Sequence, residues 1–197
     1  FKPLGSDKDI AHVEDVMSFT QSQSKSFSDI TRSTDKYIGL QGFAGTGKTY
    51  LAAPIAELAR KGGYDVKGMA PNGKQAENLG NELGIQSQTV KSFLVQAENE
   101  KIKLSGKQLW VVDETTLLNA RDTEMLVRLA NQSKGVRVLF IGDDKQLGSI
   151  EAGRIFSTMM KGGMAYTTNN DIIRQQDKDY LSAVQAFTRG EINSAFE

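Results

Sequence analysis

Apolar residues recur along the chain at two spacings, and these spacings divide it into elements. Ile10, Val13 and Val16-Met17 fall on one face of a helix over Asp7 to Met17. Thr20 is suited to cap a second helix running to about Arg32, with Phe27 and Ile30 on its inner face. The Ser-rich stretch Ser22 to Ser28 admits a linker instead. Tyr37 to Gln41 has β character, and the Ala-rich run Tyr50 to Arg60 is helical and ends at Gly62-Gly63. Asp65 to Met69 reads as a strand, Ala70 to Gly73 as a turn, and Lys74 to Leu83 as a helix closed by Gly84. Thr89 to Ala97 is predicted helical with Thr89 as its N-cap and Val90, Phe93, Leu94 and Ala97 inward. Glu98 to Gly106 is polar, and is either a small β-hairpin or a loop. Leu109-Trp110-Val111-Val112 is an unbroken apolar run, the mark of a strand buried on both faces of a parallel sheet. A helix from about Arg121 to Gln132 and another apolar strand, Val136 to Ile141, follow. Strands alternating with helices predict a doubly wound α/β domain.

Composition narrows the partners more than the fold. The 197 residues suit one full domain or one domain with a small appendage. The absence of cysteine removes disulfides, zinc-cysteine sites and thiol catalysis, and is compatible with a reducing, cytoplasmic setting. No apolar run approaches the roughly 18 residues of a membrane span, and the first residues lack a signal-peptide pattern. Net charge is zero, so any surface for nucleic acid must be local. The single histidine, His12, has no partner motif and makes no metal site by itself. A start on Phe1 and an apparently helical end suggest a piece of a longer polypeptide.

The chemistry lies at the strand ends. Gly42-Phe43-Ala44-Gly45-Thr46-Gly47-Lys48-Thr49 fits G-x-x-x-x-G-K-[ST], between a strand and a helix. Backbone N–H groups of Gly42, Ala44, Gly45, Thr46 and Gly47 can turn toward a phosphate chain, helped by the helix N-terminus. Lys48 is expected to reach the β- and γ-phosphates and Thr49 to hold Mg²⁺. Asp113-Glu114 follows a buried strand about 65 residues later. Two adjacent acids there are costly without a cation; Asp113 suits Mg²⁺, and Glu114 suits a base for an attacking water. Gln146, in Gly142 to Leu147, is placed to sense a γ-phosphate. Arg174 is a candidate arginine finger, although a surface arginine accounts for it as well.

The order of these motifs resembles the first motor domain of superfamily 1 DNA helicases of the RecD-like branch, and within it the helicase part of conjugative relaxase-helicases. The resemblance spans about residues 19 to 197. It implies a RecA-like fold, ATP as the nucleotide and single-stranded DNA as the track. It implies an adenine-reading role for Gln23, within Phe19 to Gln23. It places strand contacts on Pro71, Asn72, Gly73 and Lys74, and on Thr89, Lys91 and Phe93. It divides the chain into a helical lead-in (1–35), a motor domain (36–176) with a short insertion near 98–106, and a helical tail (177–197) leading to an absent second motor domain. Asp113-Glu114-Thr115-Thr116 departs from the usual Asp-Glu-Ala/Ser-Ser but keeps its hydroxyls.

From the residues alone the strand track is less marked than the phosphate site. Lys74, Lys91 and Phe93 could form a basic and aromatic path. Phe93 also has core spacing, which makes packing its leading role. A nucleotide-dependent platform that holds single-stranded DNA, or serves in secretion recognition, without unwinding is the rival reading.

Overall fold

The computed structural model describes residues 1–42, 47–99, 102, 104–143 and 153–169. Helices α1 (Asp7–Val16) and α2 (Gln21–Arg32) lead into β1 (Tyr37–Gly42). Then come α3 (Lys48–Lys61), β2 (Asp65–Ala70), α4 (Gly73–Leu83), β3 (Gln86–Thr89) and α5 (Val90–Glu98). The chain continues through β4 (Gln108–Val112), α6 (Ala120–Asn131), β5 (Val136–Gly142), α7 (Gly153–Lys161) and β6 (Ala165–Asn169). Thr20 caps α2 in a full capping box with Gln23, so the Ser-rich stretch is helix and not linker. The described part of the 98–106 segment contains no strand.

The six strands are all parallel, in the order β3-β2-β4-β5-β1-β6. The chain leaves β1 for β2, moves outward to β3, returns through β4 and β5, and crosses β1 to reach β6. This is the doubly wound α/β arrangement predicted from the alternation. Side chains alternate between two cores. Leu109, Val111, Leu139 and Ile141 face Ile10, Phe27, Leu51, Ile55, Leu58 and Leu79 on one side. Trp110, Val112, Val138 and Phe140 face Val90, Phe93, Leu94, Leu126 and Phe156 on the other.

Two strands were not expected from the pattern, and both lie at sheet edges. β3 is polar throughout, as an edge strand can be. β6 pairs with β1 and is clamped to α2 by polar contacts. Ser22 Oγ donates to Asn169 Oδ1 at 3.0 Å, Ser26 and Thr167 hydroxyls lie 3.2 Å apart, and Thr167 donates to Asp29 at 2.8 Å. Arg137, inside the otherwise apolar β5, is 2% exposed. Its guanidinium donates to the carbonyls of Asp35 (3.0 Å), Lys2 (3.2 Å) and Ser33 (3.0 Å), which fixes the N-terminal segment under the sheet.

Candidate nucleotide and strand site

Parallel pairing brings every strand's C-terminal end to one edge, and the crevice there opens where the chain reverses direction. Gly42 is flanked on both sides. Gln41 is in register with Gly142, and Gly42 with Asn169. One strand further, Val112 pairs with Phe140 and Met69, so Asp113 and Asp143 leave the sheet at the same edge.

The end of the glycine loop shows how the sequence leaves a helix start open. Gly47 has φ 75° and ψ 34°, a left-handed conformation that costs glycine little. It starts α3 without any side-chain cap. Helices α1, α2, α4, α5 and α6 are each capped by a side chain, from Ser6, Thr20, Asn72, Thr89 and Asn119. The first N–H groups of α3 are thus left for a bound anion, with the helix dipole behind them. Lys48 Nζ donates to Gly42 O at 2.7 Å. Ala44, Gly45 and Thr46 lie outside the described residues.

Opposite stand the paired acids. The Asp113 N–H donates to Met69 O (2.9 Å), holding the turn against β2. The Glu114 N–H donates to Asp113 Oδ1 (2.8 Å). Glu114 has φ 47°, the only positive value on a non-glycine among the described residues, and it begins the 3-10 turn Thr115–Leu117. Such backbone strain costs about 1–3 kcal/mol and collects at functional sites. Burial raises the pKa of Asp113, against the Glu114 N–H and Lys48, which lower it. Burial raises Glu114 as well, and the Asp113 charge adds to the effect while Lys48 opposes it. Glu114 Oε2 is buried without a hydrogen-bond partner among the described residues. Gly142 fits this corner because a Cβ there would meet Thr116 Cγ2 at 3.2 Å and the Phe156 ring at 3.3 Å.

These groups fit a hard divalent cation bound together with a phosphate chain. The donors are oxygens: the Thr49 hydroxyl and two carboxylates whose charges Lys48 opposes among the described residues. Among the described residues no cluster of three or more acids or histidines could hold a metal unaided. Mg²⁺ characteristically takes one or two protein oxygens and completes its shell with phosphate and water.

The strand-contact candidates gather at the same edge, since Ala70 and Thr89 are register partners at the ends of β2 and β3. Asn72, Gly73, Lys74 and Lys91 are exposed, and Pro71 is half-buried. Lys74 makes a surface ion pair with Glu77 at 3.1 Å, weak enough for a phosphate to displace. Asn72 accepts from Gln75 N–H (2.9 Å) and Thr89 from Ser92 N–H (3.1 Å), so both side chains cap helices.

Two of the predicted contact residues are enclosed. Phe93 is 0% exposed, edge-on to Trp110 with ring centroids 4.8 Å apart. A ring enclosed in the core has no face to offer a base, so Phe93 is a packing residue. Phe93→Ala is expected to cost about 3–5 kcal/mol, read as a lower urea midpoint. Gln23 is also 0% exposed, and its Oε1 accepts the Thr20 N–H at 3.1 Å. In this structure its acceptor shapes the start of α2. Gln146 and Arg174 lie outside the described residues. Glu82, which the sequence pattern did not single out, has its carboxyl's pKa raised by burial, with Thr49 opposing the shift.

A parallel sheet in this order, with a glycine loop opening α3 and paired acids at the end of β4, defines a RecA-like phosphate-loop NTPase domain. The chain belongs to the AAA domain family, which matches residues 18–197. It is 31% identical over 156 residues to "Probable conjugal transfer protein TraA" of Sinorhizobium fredii, covering 79% of this chain and 14% of that protein. It is 31% identical over 154 residues to conjugal transfer protein TraA of Rhizobium radiobacter, covering 78% and 14%. It is 34% identical over 122 residues to the ATP-dependent RecD2 DNA helicase of Deinococcus radiodurans, covering 60% and 17%. The chain therefore spans about a seventh of the length of the curated relatives it matches. These matches bear out the resemblance to RecD-like helicase motors and to conjugal transfer proteins. Among the described residues no helix is long and apolar enough to cross a membrane.

Proposed function

We propose that this domain is the ATP-binding first motor half of a DNA helicase or translocase, from a conjugative relaxase-helicase, working on single-stranded DNA. The observation that carries the reading is the uncapped start of α3, with Lys48 at its head and the raised carboxyls of Asp113 and Glu114 in the same electrostatic neighbourhood. Phosphates supply the anion that α3 lacks, and a cation supplies the charge that the acids lack. Thr49 and Asp113 hold Mg²⁺. When bound, Mg²⁺ neutralises charge on the phosphates and on the transferring γ-phosphoryl group. Lys48 leaves the Gly42 carbonyl for a phosphate oxygen. Glu114, its Oε2 without a partner among the described residues and its pKa raised by burial and by the adjacent Asp113 charge, accepts a proton from the attacking water. Gln146 senses the γ-phosphate, and Arg174 stabilises its developing charge. Pro71 to Lys74, with Thr89 and Lys91, hold the strand through backbone groups and two ammoniums. A second RecA-like half closes the site and drives stepping, so these 197 residues alone hydrolyse slowly and unwind nothing.

The test joins nucleotide and strand. A fluorescent ATP analogue is expected to bind in Mg²⁺, and a dT oligomer to bind weakly, more so at low salt. Lys74→Ala and Lys91→Ala are each expected to reduce the salt slope by about 0.7 without changing nucleotide affinity. Absence of nucleotide binding, or strand binding indifferent to both lysines, overturns the reading.

A further inference from the structure

A cavity of about 480 Å³ lies against β3, the outermost strand of the sheet. That volume is within the range of small-molecule sites. Register explains its polar wall. Gln88 is the partner of Met69, and Gln86 of Lys67, and paired residues share a face of the sheet. Met69 belongs to the core that holds Phe93, so Lys67, Gln86 and Gln88 stand on that same face. An apolar strand would have extended the core here; β3 brings carboxamides instead. Gln96 of α5, with Phe93 and Ile102, completes the lining.

The amides are held in a fixed arrangement. Gln88 Oε1 accepts from Ser92 Oγ at 3.0 Å and from Gln96 Nε2 at 2.8 Å. Gln96 Nε2 spends its second proton on Ser92 Oγ at 3.3 Å. Gln88 Nε2 meets Gln96 Oε1 only at 3.4 Å. An amide nitrogen has two protons and an amide oxygen two lone pairs. One proton of Gln88 and one lone pair of Gln96 are therefore left over, side by side.

No carboxylate lines the cavity, so a cationic ligand would find no counter-charge there. Its one ammonium, Lys67, is paired with exposed Asp65 at 3.4 Å, a weak contact. A neutral ring with a donor and an acceptor on one edge, carried by an anion, matches this lining. Adenine offers N6–H and N7 on one edge, the pair that glutamine reads. The cavity also adjoins the strand track, since Gln88 precedes Thr89, and Lys91 follows within the first turn of α5.

We propose that this cavity receives one base of the bound strand, turned aside from the track, and prefers adenine. Gln88 Nε2 donates to N7, and the N6 amino group donates to Gln96 Oε1. The inference rests on the proposed strand-binding function and adds a base preference to it.

The experiment measures binding of the 197-residue chain to a dT oligomer and to oligomers with a single dA placed at each position in turn. One position is expected to gain about tenfold with dA. Gln96→Met removes the acceptor while Ser92 still anchors Gln88. It is expected to bring the gain to within about twofold and to leave dT affinity unchanged. Deoxyadenosine alone, added to the chain with its nucleotide site filled by a Mg²⁺-bound ATP analogue, is expected to shift the side-chain amide NMR signals of Gln88 and Gln96; thymidine is expected to shift them less. The inference is overturned by dA and dT binding alike at every position, by a gain that survives Gln96→Met, by equal losses for dA and dT oligomers in that variant, or by amide signals that deoxyadenosine does not move. Amide shifts with deoxyadenosine in a chain that binds no oligomer would support the cavity and overturn the strand function instead.

Discussion

Lys48→Ala is expected to weaken Mg²⁺-nucleotide binding and to lower hydrolysis by at least about 10²–10³. Among the described residues Lys48 is the ammonium whose charge lowers the pKa of both paired acids, and it donates a hydrogen bond to the Gly42 carbonyl at the end of β1. Removing a preorganised donor from developing charge costs about 10²–10³ in rate. The loss of ground-state phosphate contact adds to this. The remaining anion site, the uncapped end of α3, still offers backbone N–H groups, so some residual nucleotide affinity is expected. Isothermal titration with an ATP analogue, alongside phosphate release, measures both quantities. Wild-type affinity in the variant would show that Lys48 does not contact phosphate. In the full-length protein the same substitution separates the motor from the platform: DNA processing that survives it identifies a strand-holding platform.

Glu114→Gln is expected to lower hydrolysis by about 10²–10⁴ while leaving nucleotide affinity within a few-fold of wild type. Glutamine keeps the shape and the hydrogen-bonding oxygen but cannot take a proton from water. A second consequence runs the opposite way. Glu114 is pushed up by burial and by the adjacent Asp113 charge, so ionised Glu114 is a liability in the metal-free fold. The amide removes it, and the metal-free variant is expected to melt higher, by about 2–4 °C per kcal/mol recovered. The pH dependence fixes the sign. A carboxyl whose folded pKa is raised stabilises the fold fully below its unfolded value, ordinarily 4.5 for Glu114. That stability is lost as pH rises through the folded value, because the folded state holds the proton longer. In EDTA, the gap between variant and wild-type melting temperatures is therefore expected to be small at pH 4 and to widen toward pH 7. A gap that narrows with pH would mean that Glu114 is not an uncompensated acid.

The central strands were legible because burial on both faces leaves no polar position to confuse the period, as in Leu109 to Val112. The edges were not. β3 is Gln86-Ser87-Gln88-Thr89, whose side chains carry no apolar alternation, and its pairing with β2 supplies the order. β6 and α7 did leave signals: Tyr166-Thr167-Thr168 favours a strand, and Ile155-Phe156 with Met159-Met160 has helical spacing. At the site, Lys48, Thr49, Asp113 and Glu114 were legible because their residue types and flanks are chemically restrictive. Phe93 was ambiguous because one helical period serves a core face and a binding face alike. Gln23 showed its position but not that its acceptor is used by Thr20.

Arg137 bears on how the chain can be cut. Its three carbonyl acceptors come from Lys2, Ser33 and Asp35, all before β1, and the Phe1 ring lies 5.4 Å from the guanidinium. An arginine cannot shed its proton. A version trimmed to begin at Tyr37 would keep the buried cation and discard every one of those acceptors, a defect of several kcal/mol. The lead-in is thus a structural counterpart of β5, and expression boundaries drawn at the first strand would sever the motor from its own solvation.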